Sequence, residues 1–223
     1  MLLHNYFGDW LKVIDLVELK KVVEKINYLY KVKPCVPAYK DIFKAFTLCT
    51  LHDCKIIMMG FDPYPQKDVA TGVLFANKPN VKNLSPSLKV LKESIISLSV
   101  DMPFNTFDVT MKHWCNQGIL MINSALTCEM NNTSGHTMIW RPFMIKLLQN
   151  LSKVETGIIY VLFGTQAQTF EPYINTKFND ILKVKHPAFY ARTNLPMPND
   201  IFTQINTLLI GKYGQPIQWL IEN

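Results

Sequence analysis

Lys55-Ile56-Ile57-Met58-Met59-Gly60-Phe61-Asp62-Pro63-Tyr64-Pro65 is the stretch on which the reading of this chain turns. Its first five residues form a short apolar run, which reads as a buried strand. The run breaks at Gly60 and delivers a carboxylate, Asp62, and a phenol, Tyr64, onto a turn stiffened by Pro63 and Pro65. Proline fixes its own φ and restricts the residue before it, so both side chains are held with little freedom. Taken alone, the segment is equally a surface turn that happens to hold an aspartate.

Outward from this segment the pattern alternates. Strand-like runs at Ile119-Ile122, Ile158-Phe163 and Ile181-Lys185 join Lys55-Met59. Helical segments follow at Pro86 to Leu98, Arg141 to Leu151, Gln166 to Ile174 and Asp200 to Tyr213. Ser85 before Pro86 suits a capped helix start, and Gly211 and Gly214 suit a helix end. Upstream, an apolar stripe predicts a helix from Asp9 to Tyr30, and a second helix carries Ile42, Phe43 and Phe46. Strand and helix in alternation predict an α/β fold: a three-layer αβα arrangement around a central, mainly parallel four-stranded sheet.

At 223 residues, with 48% hydrophobic and 18% charged residues and no linker or repeat, the chain reads as a single domain over 1–223. No apolar run is long enough to span a bilayer and no N-terminal signal pattern is present, which predicts an intracellular protein without membrane attachment. The five cysteines are odd in number and lack CxxC spacing, so reduced, mostly buried thiols are expected rather than disulfides or a zinc site. The net charge of +6 and pI near 9.0 fit an anionic partner without proving one.

In open α/β sheets, ligands bind outside the carboxyl ends of the strands. Those ends here carry Asp62 and Tyr64, then Asn123, then Gly164-Thr165, then His186-Pro187. Each alone reads as a turn residue or a satisfied polar group. A carboxylate, a carboxamide and an imidazole converging on one edge read as a site.

In order and spacing these residues resemble family-1 uracil-DNA glycosylases over most of the chain. Gly60-Pro65 is similar to the GQDPYH water-activating loop, and Phe75 keeps the family's distance from it. Ser85-Pro86-Ser87-Leu88 resembles the PPSL phosphate-contacting turn, and Gly118 to Thr127 resembles GVLLLNxxLT. Ser134 to Trp140 resembles SHxxxGW, Phe163 to Gln168 resembles WGSxAQ, His186-Pro187 opens the equivalent of HPSPLS, and Pro216 to Trp219 is similar to PIxW. The chain departs from these patterns at Phe61 and Pro65, which replace a glutamine and a histidine. It departs again at Ala188, which lacks a phosphate-binding hydroxyl, and at Tyr190, which stands where the family inserts leucine into the duplex. The DPYP turn and the HxxxW spacing are similar to the poxviral branch, in which the glycosylase also serves as a polymerase processivity component.

The resemblance implies excision of uracil from DNA by hydrolysis of the N-glycosidic bond after base flipping, in base excision repair. Asp62 and His186 are then catalytic. Phe61, Tyr64, Phe75 and Asn123 bind the substrate base, while Ser87, Thr165 and Tyr190 contact DNA. No cofactor or metal is implied. Uracil-containing DNA is the implied partner, with a proteinaceous glycosylase inhibitor or polymerase accessory proteins as further candidates, and a monomer is expected in a bacterial cytoplasm or an infected host cell. The alternative is a catalytically weakened glycosylase fold that binds DNA or serves a polymerase. A thymine-directed relative is disfavoured by Tyr64.

Overall fold

Four short strands of almost wholly apolar residues lie at the centre of the molecule: β1 (Ile56–Gly60), β2 (Ile119–Asn123), β3 (Ile159–Phe163) and β4 (Asp180–Val184). The computed structural model describes residues 3–98 and 105–222. The strands hydrogen-bond in the order β2-β1-β3-β4, and every pairing is parallel. Parallel neighbours need crossover connections, and these place helices over both faces.

The main helices in chain order are α1 (Leu16–Val32), α2 (Lys44–Leu48), α3 (Pro86–Ile96), α4 (Thr137–Val154), α5 (Gly164–Gln168), α6 (Pro187–Thr193) and α7 (Asp200–Tyr213). Successive strand residues point to opposite faces, so each strand feeds two cores. Ile57, Met59, Leu120, Ile122, Tyr160 and Leu162 pack with α1, α2 and α4. Ile56, Met58, Ile119, Met121, Ile159 and Val161 pack with α3, α7 and the C-terminal Ile217, Trp219 and Leu220. Burial on both sides is why β1, β2 and β3 read as continuous apolar runs and show no alternation, whereas the edge strand β4 is only partly buried and leaves Lys183 exposed.

Several boundaries differ from the sequence expectation, each for a local reason. The helix expected from Asp9 divides into a 3₁₀ turn (Gly8–Lys12) and α1. Asp15 caps α1 by accepting the Val17 and Glu18 N–H groups, both at 3.0 Å. Asp9 instead accepts the Leu51 and His52 N–H groups at 2.9 and 2.8 Å, pinning a distant loop. Helix α4 begins at Thr137, ahead of the expected Arg141, and keeps Pro142 inside it. That proline leaves the Met138 carbonyl without its helical partner, at a residue 78% exposed to solvent.

The segment expected as one helix from Gln166 to Ile174 is α5 followed by a 3₁₀ turn, Glu171–Tyr173. Ser85 stands before α3, but its side chain makes no cap. Its hydroxyl accepts from Asn77 Nδ2 and its N–H donates to Asn77 Oδ1, both at 2.7 Å. Helix α7 has the expected bounds, with Gly214 as its left-handed cap and Gly211 within it. Sequence periodicity did not reveal α6, nor the antiparallel ladder of Cys35–Val36 with Cys128–Glu129, which is too short to carry a period. All five cysteines are free, and only Cys35 is partly exposed.

Leu162 sits in the middle of β3 at 0% exposure. Leu162→Ala is expected to lower the unfolding free energy by about 2–5 kcal/mol. The check is the urea midpoint at unchanged m-value.

Candidate functional site

All four strands run the same way, so their carboxyl ends share one edge, and a cavity of about 370 Å³ opens there. Its wall takes Phe61, Asp62 and Tyr64 from the segment after β1, Asn123 from the end of β2, Thr165 from α5 and His186 from the segment after β4. Phe75 and Ser87 complete it from the connection between β1 and β2. Eight of the nine residues singled out from sequence therefore line one cavity, which resembles small-molecule sites in scale and mixed polarity.

Asn123 is a buried polar group of the wall, 9% exposed. It pairs in register with Gly60 on the neighbouring strand. A Cβ added at Gly60 would lie 2.9 Å from Asn123 Oδ1 and 2.3 Å from Leu74 Cδ1, so only glycine leaves the carboxamide its place. Asn123 Oδ1 is buried and no donor among the described residues reaches it. An unpaired buried acceptor is destabilising by about 1–3 kcal/mol, and Asn123 lines the cavity, where a ligand N–H could satisfy it.

The Phe61–Pro65 segment is held by its main chain. Gly60 O accepts from Ser124 N at 3.1 Å, and Phe61 O accepts from both Ala125 N and Ser124 Oγ at 2.9 Å. Pro63 O faces Cys128 Sγ at 3.6 Å, and Pro65 O accepts from Asn131 N at 3.0 Å. None of these contacts uses the side chains of Phe61 or Pro65, so both departures leave the loop anchored. Asp62 Oδ2 accepts the Ser134 N–H at 2.8 Å. Burial raises the Asp62 carboxyl above its ordinary value, while the backbone N–H groups of Ser134 and of Asp62 itself oppose the rise.

Tyr64 and Phe75 brace one another. Phe75 has φ of +60°, a left-handed conformation that is costly for an aromatic residue, by about 1–2 kcal/mol. The Tyr64 hydroxyl donates to Phe75 O at 3.1 Å, and Leu74 N donates to Met121 O at 3.1 Å, fixing that bend. The Phe75 ring meets Phe163 and His186 edge to face, with centroids 5.1 and 5.4 Å away. It is a packed ring and a cavity wall at once.

His186 sits where β4 gives way to α6. Its Nδ1 accepts the Ala188 N–H at 3.1 Å, so the neutral ring carries its proton on Nε2. Burial lowers its pKa to about 4, and the positive charge of Arg192 adds to the shift. Gly164, with φ of +82°, lets β3 approach this residue: a Cβ there would lie 3.0 Å from His186 Cβ.

Tyr190 does not join the cavity. It lies on α6, half-buried, packed on the second core and edge-on to Phe189 at 5.2 Å. Arg192, Gln166 and Thr133 line the cavity without having been anticipated. The signal for Arg192 was its spacing of four from Ala188, which becomes informative only once α6 is known to be a helix.

A model of the uracil DNA glycosylase superfamily matches residues 46–210. A uracil-DNA glycosylase of Campylobacter jejuni is 34% identical over 222 residues, covering 96% of this chain and 93% of that protein. One from Fusobacterium nucleatum is 28% identical over 224 residues, covering 97% and 96%. Among solved structures, a mimivirus UNG variant in complex with UGI superposes with a TM-score of 0.84 at 24% identity, covering 97% of this chain and 89% of that one. Mimivirus uracil-DNA glycosylase itself gives 0.76 at 23% identity, covering 94% and 88%.

The state of His186 is open to direct measurement. Its ring is expected to titrate near pH 4, below the ordinary 6.5, with Nε2 protonated at neutral pH. A histidine kept neutral by the fold contributes stability above about pH 6.5, and that contribution is lost as pH falls toward 4. Long-range ¹H–¹⁵N NMR spectra of the ring report both the tautomer and the titration; a midpoint near 6.5 would contradict the geometry.

Proposed function

We propose a division of labour from the premise that this chain belongs to the uracil-DNA glycosylase superfamily and hydrolyses the bond between uracil and deoxyribose in DNA. A base inside a duplex is out of reach, so the target nucleotide is extruded into the cavity, at a cost of a few kcal/mol. Stacking on the Phe75 ring offsets part of that cost. Phe61, at the same wall, adds apolar contact.

Asn123 reads the base. Its orphaned Oδ1 accepts the uracil N3–H while Nδ2 donates to O4. Cytosine offers the opposite polarity there and leaves both partners unpaired, a mismatch worth about 10⁴ in selectivity. Thymine shares uracil's hydrogen-bonding edge and is excluded by shape. The Tyr64 ring stands against C5, where a methyl group would collide, and its bond to Phe75 O prevents it from yielding.

Bond cleavage builds positive charge on the sugar and negative charge on the departing base. The Asp62 carboxylate, held by the Ser134 N–H, stabilises the first and orients the attacking water. The Nε2–H of neutral His186 donates to uracil O2 as it gains charge. A ring with a pKa near 4 stabilises that anion by hydrogen bonding without carrying a charge of its own. Ser87 at the start of α3 and Thr165 at the start of α5 grip the DNA backbone. Tyr190, on the helix beside the cavity mouth, fills the gap left in the duplex.

The single observation that carries this reading is the buried, unpartnered Asn123 acceptor facing a cavity walled by Asp62, Tyr64, Phe75 and His186. Retention of these groups together supports an active enzyme over a fold kept only for binding. The inhibitor-bound mimivirus neighbour supports a proteinaceous inhibitor as a further partner. No helix among the described residues is long and apolar enough to cross a membrane. An intracellular monomer suits a repair enzyme of this kind.

Asp62→Asn is expected to lower the single-turnover rate about 10²–10⁴-fold while uracil-DNA affinity is kept, and His186→Leu about 10²–10³-fold. Tyr64→Ala is expected to admit thymine, and Asn123→Asp to admit cytosine, each slowly and with loss on uracil. Release of the free base from oligonucleotides carrying a single uracil, thymine or cytosine checks all four. Parental rates and parental selectivity would place the chemistry elsewhere.

A further inference from the structure

A cavity that receives a flipped nucleotide also receives the phosphodiester charges on either side of it, and the charges in its wall bear on how it does so. Among the described residues lining the cavity, Asp62 and Arg192 carry the only formal charges once His186 is neutral. Without Arg192 the wall would present a lone carboxylate to an incoming anion.

Arg192 lies in the last turn of α6, which ends at Asn194 in the left-handed conformation. It stands one helical turn beyond Ala188, and both residues line the mouth. Ala188 has no hydrogen-bonding side chain, and the rest of α6 places no other cation on this wall. Arg192 is exposed, and no carboxylate or hydrogen-bond acceptor among the described residues engages its guanidinium. The neighbouring cations are engaged elsewhere: Lys183 pairs with Glu171 at 2.8 Å, and the Lys185 ammonium sits over the Phe189 ring, 4.7 Å from its centroid.

We propose that Arg192 binds a backbone phosphate beside the flipped deoxyuridine, supplying from the last turn of α6 the grip that position 188 cannot. A guanidinium presents a planar fork of donors matched to two phosphate oxygens, so one side chain replaces a weaker hydroxyl contact and adds charge. The same charge disfavours protonation of His186, so the phosphate grip and the neutral imidazole support each other. The inference rests on the cavity being the seat of the flipped nucleotide.

The test is the salt dependence of kcat/KM on uracil-containing duplex for the parental protein, Arg192→Gln, Arg192→Lys and a control, Lys153→Gln, on an exposed residue in the last turn of α4. Removing one phosphate contact should lower the magnitude of the log–log slope by about 0.9 on duplex and about 0.7 on single strands. It should also lower kcat/KM about 10- to 100-fold at low salt. Arg192→Lys should keep the parental slope, and Lys153→Gln should change nothing. An active, folded Arg192→Gln protein with the parental slope overturns the contact. So does a loss confined to kcat and accompanied by an upward shift in the His186 titration, because Arg192 would then act through the imidazole. Failure of the parental protein to release uracil would instead overturn the reading of the cavity.

Discussion

The pairing of Gly60 with Asn123 across two parallel strands is the constraint on which the site depends. The absence of a side chain at position 60 leaves room for a carboxamide at the end of β2. The register therefore sets the place of Asn123, the group proposed to read the base, before any loop is considered. A slip of one residue would turn Asn123 toward the opposite face of the sheet. Burial of β1, β2 and β3 on both sides prevents such a slip, because every residue of these strands is committed to a core. Stability and the position of Asn123 are thus two consequences of one register.

Around that fixed point the polar groups are tuned by what their surroundings withhold. Asn123 Oδ1 has no partner among the described residues, burial favours neutral His186, and Asp62 is half-buried and held by a backbone N–H. The unpaired Asn123 acceptor is unfavourable in the empty protein and leaves a position for a ligand N–H. The left-handed Phe75 belongs to the same pattern, since its bend is held by the Tyr64 hydroxyl, whose ring is proposed to screen the base. Preorganised groups of this kind avoid reorganisation at the moment of bond breaking.

The sheet was legible in the sequence because doubly buried parallel strands are uninterrupted apolar runs, and their parallel direction followed from the helices between them. The convergence of Asp62, Asn123 and His186 was legible for the same reason, since each directly follows or ends such a run. Helix starts were less legible where polar side chains bond across the fold. Asp9, expected to open a helix, reaches Leu51 and His52; at Ser85 the start at Pro86 was read correctly but the cap was not, because its side chain pairs with Asn77. Short turns such as α6 carry too few residues for a period to show, which hid Arg192 and left Tyr190 to be placed by motif alone. The anchoring of Phe61–Pro65 through its carbonyls was likewise invisible, because main-chain acceptors leave no mark in the side-chain pattern.

A crystal structure of the protein with uracil bound in the cavity tests the central claim most directly. The account predicts the base stacked on Phe75, with Asn123 Oδ1 about 2.7–3.2 Å from N3 and Nδ2 at a similar distance from O4, and the Tyr64 ring against C5. A uracil bound with its N3–H directed at any other acceptor, with Asn123 Oδ1 still unpartnered, would contradict it.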